Sequence, residues 1–451
     1  MGTDIRYLIS RFSQTNKAIF MMLLDALVFV LSFYVVNRLL TADLSFVFAK
    51  TGIFIAALLI LLSTHYIFGV YDFSEKMTVQ TLLGRVLRAL VLTFIGIGFL
   101  TFVFDNNIFA SLDEGFALGT LFSFFILAAP ARILFHRLDQ KYRNGRRWLF
   151  LVPEKNKATI QKDLDDNHFK GHVVFLTEND VVKLSEHLNF SWTAIVLGLE
   201  ESDLDSELAQ LLMQRRLQGQ AVLNICDFYE MYWKKVPVDF LKRSWFLLAD
   251  GFILIQNPIG LRFKRLMDFG CALVLFLVTW PFMLLAAIAI KLDSPGPALF
   301  SQERVGKNGR HFKIYKFRSM VTDAEKNGAQ WATTNDARIT RVGQFIRATR
   351  IDELPQLFNI LTGEMSFVGP RPERHEFNEK IEQVVPFYNV RHLVRPGITG
   401  WAQVLFPYGA SIDDSKQKLQ YEIYYIKNYS IMMDIEVVLK TISVVLLGKG
   451  R

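Results

Sequence analysis

Residues 266–292 read LMDFGCALVLFLVTWPFMLLAAIAIKL, an apolar run interrupted by Pro281. At about 1.5 Å per residue, a helix of this length covers the ~30 Å hydrocarbon core of a bilayer. Length alone therefore predicts a membrane helix, but its flanks argue against a simple span. Arg262, Lys264 and Arg265 precede it; Lys291, Arg304, Lys307, Arg310, Lys313 and Lys316 follow. Basic residues collect on the cytoplasmic side of membrane helices, so a straight crossing strands one basic flank outside. Proline removes a backbone donor and clashes with the preceding turn. Pro281 is thus the expected break of a re-entrant helix that enters and leaves one leaflet; a Pro-kinked span is the alternative.

Upstream, four more apolar segments run from Ala18 to Val36, Phe46 to Val70, Leu82 to Phe104 and Phe116 to Phe135. Each is long enough to cross a bilayer, which predicts a four-helix transmembrane bundle over residues 1–140. Arg6, Arg11 and Lys17 precede the first segment. Lys76, Arg85 and Arg88 surround the second turn, and Arg132, Arg137, Lys141, Arg143, Arg146 and Arg147 close the bundle. The loop before the fourth segment holds Asp105, Asp113 and Glu114, whereas Arg38 and Lys50 weaken the signal of the first outer loop. The balance places both ends of the bundle in the cytoplasm. Asp25 and His65, inside the apolar segments, are expected to pair within the bundle rather than to mark a transport path.

Composition agrees with a membrane protein: 51% of residues are hydrophobic and the mean hydropathy is +0.24. The net charge of +8 sits beside apolar segments and in the last third, which implies anionic lipid and phosphate partners. Basic and aromatic residues do not interleave as in single-strand binders, so no nucleic acid is expected. Two distant cysteines, Cys226 and Cys271, support neither a disulfide framework nor a zinc site. No removable signal peptide is read at the N-terminus.

Residues 145–255 change character. Short β-rich runs (Trp148–Val152, His172–Leu176, Thr193–Leu199, Ala221–Ile225) alternate with amphipathic stretches such as Leu204–Leu217. That alternation predicts a Rossmann-like α/β domain with a parallel sheet. A dinucleotide site needs glycine after the first strand, where Pro153-Glu154-Lys155-Asn156 stands instead. A regulatory or structural role is the expectation.

The chemistry concentrates in residues 261–451. Asp293-Ser294-Pro295-Gly296-Pro297 ends the apolar helix, and a β-prone run from Phe312 to Met320 follows. Alternation there sets Lys316 and Arg318 on one face, as a two-pronged phosphate binder needs; a solvated edge strand is the equal alternative. In Arg347-Ala348-Thr349-Arg350-Ile351-Asp352-Glu353-Leu354-Pro355-Gln356, adjacent acids lie among arginines. Asp352–Pro355 has the composition of a helix start, where the helix dipole favours an ionised, nucleophilic Asp352. Glu353 is then the candidate ligand for a divalent cation. The competing reading is a capping box with surface ion pairs. Two further turns, Val368-Gly369-Pro370-Arg371-Pro372 and Arg395-Pro396-Gly397-Ile398-Thr399-Gly400, add Arg371, Arg391 and Arg395 as candidate phosphate-binding cations.

Together with Ile351–Leu357 and Tyr424-Tyr425-Ile426-Lys427-Asn428, these turns resemble the bacterial sugar transferase family of monotopic polyprenyl-phosphate hexose-1-phosphate transferases. The resemblance runs from Leu261 to the C-terminus. The preceding bundle and α/β domain are similar to the family's large, multidomain branch. Tyr408-Gly409-Ala410-Ser411 and Leu447-Gly448-Lys449-Gly450-Arg451 are similar to its exopolysaccharide-associated subgroup. The resemblance implies an α/β-type catalytic domain and a ping-pong reaction. Asp352 takes the sugar phosphate from a UDP-hexose (glucose or galactose), UMP leaves, and undecaprenyl phosphate resolves the intermediate. It further implies Mg²⁺ bound with help from Glu353. Lys316, Arg318, Arg347 and Arg395 match the family's phosphate-binding positions. Glu422 stands where the family commonly has Asp, and His375 replaces a frequent Pro. A homodimer through the bundle and a catalytically inactive membrane scaffold are the remaining expectations, the second as an alternative. A transporter built on the bundle does not explain the basic, motif-dense last third.

Overall fold

The computed structural model describes residues 14–40, 51–73, 77–103, 114–177, 190, 192–199, 206–322, 324, 336–406, 409 and 411–446. Arg6, Arg11, Phe46, Lys50, Lys76, Phe104, Asp105, Asp113, Leu204, Tyr408, Ala410 and Leu447–Arg451 lie outside the described residues. The chain forms two compact units, Met1–Trp233 and Lys234–Arg451. The boundary falls earlier than the expected one near residue 255, because residues 234–256 pack with the C-terminal unit.

The first unit begins with α1 (Gln14–Leu40), α2 (Thr51–Ile67), α3 (Val79–Val103) and α4 (Glu114–Asn144). Phe29, Leu61, Val86 and Phe124 fill the space between them, while Leu23, Leu27, Phe99 and Phe122 point outward. An apolar outer surface on an apolar core is what a lipid solvent permits. α1, α3 and α4 are long and apolar enough to cross a bilayer; the described part of α2 is shorter. Asp25 is paired, as expected: its carboxylate accepts from Arg132 and, at 2.6 Å, from the Tyr71 hydroxyl. His65 Nδ1 lies 2.7 Å from the Leu61 carbonyl. A second buried pair, Lys17–Asp139 at 2.5 Å, ties α1 to α4.

Four parallel strands follow: β1 (Arg147–Leu151), β2 (His172–Leu176), β3 (Ala194–Leu197) and β4 (Val222–Asn224), in the order β2-β1-β3-β4. α5 (Glu154–Asp166), α6 (Ser206–Leu217) and α7 (Ile225–Trp233) accompany them. Central β1 is buried throughout Trp148–Leu151, as a strand covered on both faces must be.

The second unit opens with α8 (Arg243–Leu248) and α9 (Ile253–Gln256), then α10 (Pro258–Asp293). α10 is the fourth helix that is long and apolar enough to cross a membrane. These helices mark a membrane-associated protein. Asn257 caps α10, accepting from the Ile259 and Gly260 amides. Pro281 lies inside this 36-residue helix and does not end it. Ala272 and Phe276 pack on Ile314, Leu357 and Ile360, whereas Ala286 and Ile290 pack on Phe317 and Ile346. Both halves of α10 thus rest on the same unit, and the middle (Leu277, Val278, Trp280, Leu285) stays exposed.

β5 (Leu299–Val305) and β6 (His311–Phe317) form an antiparallel hairpin. α11 (Arg341–Ala348), a 3-10 helix (Ile351–Gln356) and α12 (Leu357–Thr362) come next. β7 (Ser366–Val368) pairs in parallel with β8 (Gly397–Thr399); α13 (His375–Val384) lies between them in sequence. α14 (Trp401–Leu405), α15 (Ile412–Lys427) and α16 (Ile431–Leu446) complete the described chain. The expected α/β character of this unit is corrected: its strands form two separate two-stranded sheets within a largely helical body.

Candidate functional site

The two acids sit in the 3-10 helix, which starts at Arg350 in the left-handed region (φ 60°) and continues into α12. A non-glycine residue there is strained by about 1–3 kcal/mol. Both Asp352 and Glu353 are buried. Lys316 Nζ, from the end of β6, donates to Glu353 Oε1 at 2.9 Å, and Arg371 Nη2 donates to the same oxygen at 3.0 Å. Burial alone would raise the Glu353 carboxyl. The Lys316 and Arg371 charges, with their hydrogen bonds, outweigh it and hold the group well below the usual carboxylate range. Burial draws the Lys316 ammonium down, helped by Arg371 and opposed mainly by Glu353.

Asp352 differs from its neighbour. Its Oδ1 is buried and has no hydrogen-bond partner among the described residues. Burial, then the Glu353 charge, pushes the Asp352 carboxyl up; Lys316, Arg347 and Arg350 oppose this without cancelling it. The helix-dipole expectation is therefore corrected in direction. A buried carboxylate beside a second one is destabilised by more than a short helix end returns. The chain thus holds one carboxylate clamped and fully charged, and leaves the other raised and with an unpartnered oxygen.

Two glycine turns hold Arg371 in place. A Cβ at Gly369 would lie 2.3 Å from the Arg395 carbonyl oxygen, one at Gly397 2.2 Å from the Gly369 nitrogen, and one at Gly400 2.2 Å from the Gly369 oxygen. The Gly369 amide donates to Thr399 at 3.0 Å and the Gly397 amide to Pro370 at 3.0 Å. Backbone thus packs directly on backbone, which is why both turns require glycine.

Of the sequence-derived site residues, Asp352, Glu353, Lys316, Arg347 and Arg371 come together. Arg350, quoted above only as context, joins them through its effect on Asp352. Three cations serve elsewhere. Arg318 donates to the Ser294 and Pro295 carbonyls at 2.7 and 2.8 Å, and so closes the turn after α10. Arg391 is buried, paired with Glu422 at 2.8 Å and hydrogen-bonded to Tyr388. Its Nη2 also donates to the Arg371 carbonyl at 2.8 Å, which makes it a positioning residue for the turn carrying Arg371. Burial lowers Arg391, but the Glu422 charge more than restores it, so its net displacement is upward. Glu422, the departure noted above, is the partner that allows this buried cation. Arg395 Nε donates to the Gly363 carbonyl at 3.0 Å. Lys307, drawn down by burial and then by the Arg395 charge, marks a second cationic place there. Burial, then Arg391, lowers His392 to about 4, so it adds no charge near neutrality.

Sequence reasoning missed one network. Lys264 Nζ contacts Asp268 at 2.9 Å, Ser366 at 2.7 Å and Asp434 at 2.8 Å, and the Tyr425 hydroxyl donates to Asp434 at 2.7 Å. A Lys and an Asp four apart at the start of an apolar helix were the available signal.

Fold and site together define a membrane-associated protein with a cation-flanked pair of buried carboxylates. The chain belongs to the bacterial sugar transferase family, whose model matches residues 259–448. It is 44% identical over 259 residues to a UDP-N-acetylgalactosamine-undecaprenyl-phosphate N-acetylgalactosaminephosphotransferase of Aeromonas hydrophila, covering 57% of this chain and 60% of the relative. A UDP-glucose:undecaprenyl-phosphate glucose-1-phosphate transferase of Xanthomonas campestris pv. campestris is 45% identical over 258 residues (55% and 51% of the two chains). The exopolysaccharide production protein PSS of Rhizobium leguminosarum bv. phaseoli is 44% identical over 196 residues, 42% of this chain and 97% of that protein. The chain spans about half the length of the first two relatives.

Proposed function

We propose that this protein transfers a hexose 1-phosphate from a UDP-hexose to undecaprenyl phosphate, the initiating step of an exopolysaccharide, O-antigen or capsule, at the cytoplasmic face of a bacterial inner membrane. The observation carrying this reading is Asp352, with its buried, unpartnered oxygen beside Lys316, Arg347 and Arg350. An Asp352 oxygen attacks the sugar-bearing phosphorus of the donor. The bond from that phosphorus to the UMP oxygen breaks, and UMP leaves with the electron pair. A phosphate oxygen of undecaprenyl phosphate then attacks the aspartyl phosphate, forming the lipid diphosphate sugar and restoring the Asp352 carboxylate. Lys316 and the arginines offset charge on the transferring group. The relatives' names carry both glucose and N-acetylgalactosamine, so the donor is a UDP-hexose whose identity a screen decides.

Glu353 is the residue that would help hold Mg²⁺. Among the described residues no group of three or more His, Cys, Asp or Glu could hold a metal by itself. One carboxylate still suits Mg²⁺, which completes its shell with water and substrate phosphate oxygens, and the unpartnered Asp352 Oδ1 stays available for the attack. The ion would supply charge neutralisation on the diphosphate.

Re-entry of α10 belongs to the same reading. A straight crossing of ~30 Å of hydrocarbon carries a helix's two ends to opposite sides, whereas both halves of α10 pack on one unit. Residues 147–233 are read as a Rossmann-like module with no dinucleotide site, and the bundle as the contact of a homodimer.

The test uses the full chain in lipid nanodiscs with undecaprenyl phosphate and a panel of UDP-sugars labelled at the β-phosphorus. Wild type should release UMP and carry label covalently before acceptor is added. Asp352→Asn should lose about 10⁴-fold or more in rate and carry no label. UMP release by Asp352→Asn at the wild-type rate would reject the nucleophile.

A further inference from the structure

Residues 242–256 precede the stretch matched by the family, and the site chemistry does not use them. Their aromatic side faces inward. Lys427 Nζ lies 5.1 Å from the Trp245 ring centroid, and Phe246 meets Phe387 at 5.0 Å. The Phe252 amide donates to the Lys427 carbonyl at 2.7 Å. Gly251, at φ +125°, fits so closely that a Cβ would lie 2.9 Å from that carbonyl oxygen. Phe252, Leu254 and Ile255 pack on the cluster containing Tyr425, Tyr429 and Met433. The aliphatic side faces outward: Leu247, Leu248 and Ile253 are 84%, 82% and 74% exposed, and Ile259, in the first turn of α10, is 77% exposed. Single exposed aliphatics are ordinary, but a concentration on one short segment marks an interaction surface.

We propose that α8 and α9 form a second membrane-contact element, an in-plane collar that seats the catalytic unit on an anionic bilayer ahead of α10. This rests on the reading of α10 as lipid-embedded. Continuity with that helix identifies the occupant. Leu254 Cδ1 lies 2.5 Å from where a Cβ at Gly260 would be, so α9 folds onto the first turn of α10. The exposed apolar face of α10 begins at that turn with Ile259 and runs on through Phe263, Leu266, Leu273 and Leu277 at helical spacing. Charge points the same way: Lys242 and Arg243 open α8 and Arg262 lies in the second turn of α10. Exposed aliphatic side chains bordered by cations suit headgroup depth on an anionic surface.

The experiment places single spin labels in the full chain, with Cys226→Ala and Cys271→Ala as background, in nanodiscs containing phosphatidylglycerol. Leu248→Cys and Ile253→Cys are compared with Leu277→Cys in α10 and with Glu379→Cys on the exposed surface of α13. Collision with oxygen relative to a nickel chelate should be severalfold higher at 248 and 253 than at 379, approaching 277. Water-like values at 248 and 253 beside an oxygen-rich 277 overturn the collar and leave the α10 reading standing. Exclusion of both reagents with spin–spin coupling shows a second copy covering the face and overturns it as well. A water-like 277 takes down the α10 reading, and the collar with it.

Discussion

In the proposed reaction Asp352 attacks only as its carboxylate, so the acid limb of a rate profile would report the charges around it. Burial and Glu353 raise its proton affinity, whereas Lys316, Arg347 and Arg350 lower it. A raised value puts the loss of rate on acidification at higher pH than for an ordinary aspartate. Arg347→Gln removes one lowering charge, so the limb should move to still higher pH. UMP release measured across pH checks this; a limb that stays put or moves down would show that Arg347 does not act on Asp352. The acid pair was legible because adjacent carboxylates among arginines are unusual. The partners that hold Arg318 and Arg391 in the structure were not foreseen, because a cation's residue type does not reveal its partner. Their partners, Ser294 and Glu422, lie 24 and 31 residues away in sequence. Only the fold shows that one closes a turn and the other braces Arg371.

Among the elements, the parallel strands of the first unit were readable from short β-rich runs, and His172–Leu176 has the bounds expected. The β7–β8 pair was not, since two three-residue strands carry no period. Their glycines stood out, but the reason for them is tertiary. Gly400 has φ −165°, extended backbone that any residue adopts; space is what it lacks, with the Gly369 carbonyl 2.2 Å from a Cβ. Gly400→Ala should therefore push the two turns apart, costing about 1–3 kcal/mol as overpacking does. Because Arg371 rides on the displaced turn and clamps Glu353, the rate of transfer should fall by more than the loss of folded protein explains. Thermal melting and UMP release per folded molecule separate the two effects. Equal losses in both would mean that the turn only stabilises.

At the scale of the whole chain, the division at Trp233 and Lys234 was hidden because the resemblance begins near residue 261 while the packing begins earlier. Residues 234–258 are built into the second unit. Buried Trp401 donates its indole N–H to the Lys234 carbonyl at 3.0 Å, the Val236 amide donates to Gln420 at 3.0 Å, and Lys416 pairs with Asp239 at 2.5 Å. Val236 and Val238 are buried against this body. Removing the segment leaves the Trp401 donor unpaired, at about 1–3 kcal/mol. It also forfeits the burial of two valines, about 1.5–3 kcal/mol each. The total is a large fraction of a domain's ~5–15 kcal/mol of stability. A fragment of residues 234–451 should therefore melt cooperatively in detergent, and one of residues 259–451 should melt at much lower temperature or be degraded during expression. Equal melting temperatures would mean that the segment rests on the unit without supporting it, and that the family match alone bounds the fold of this unit.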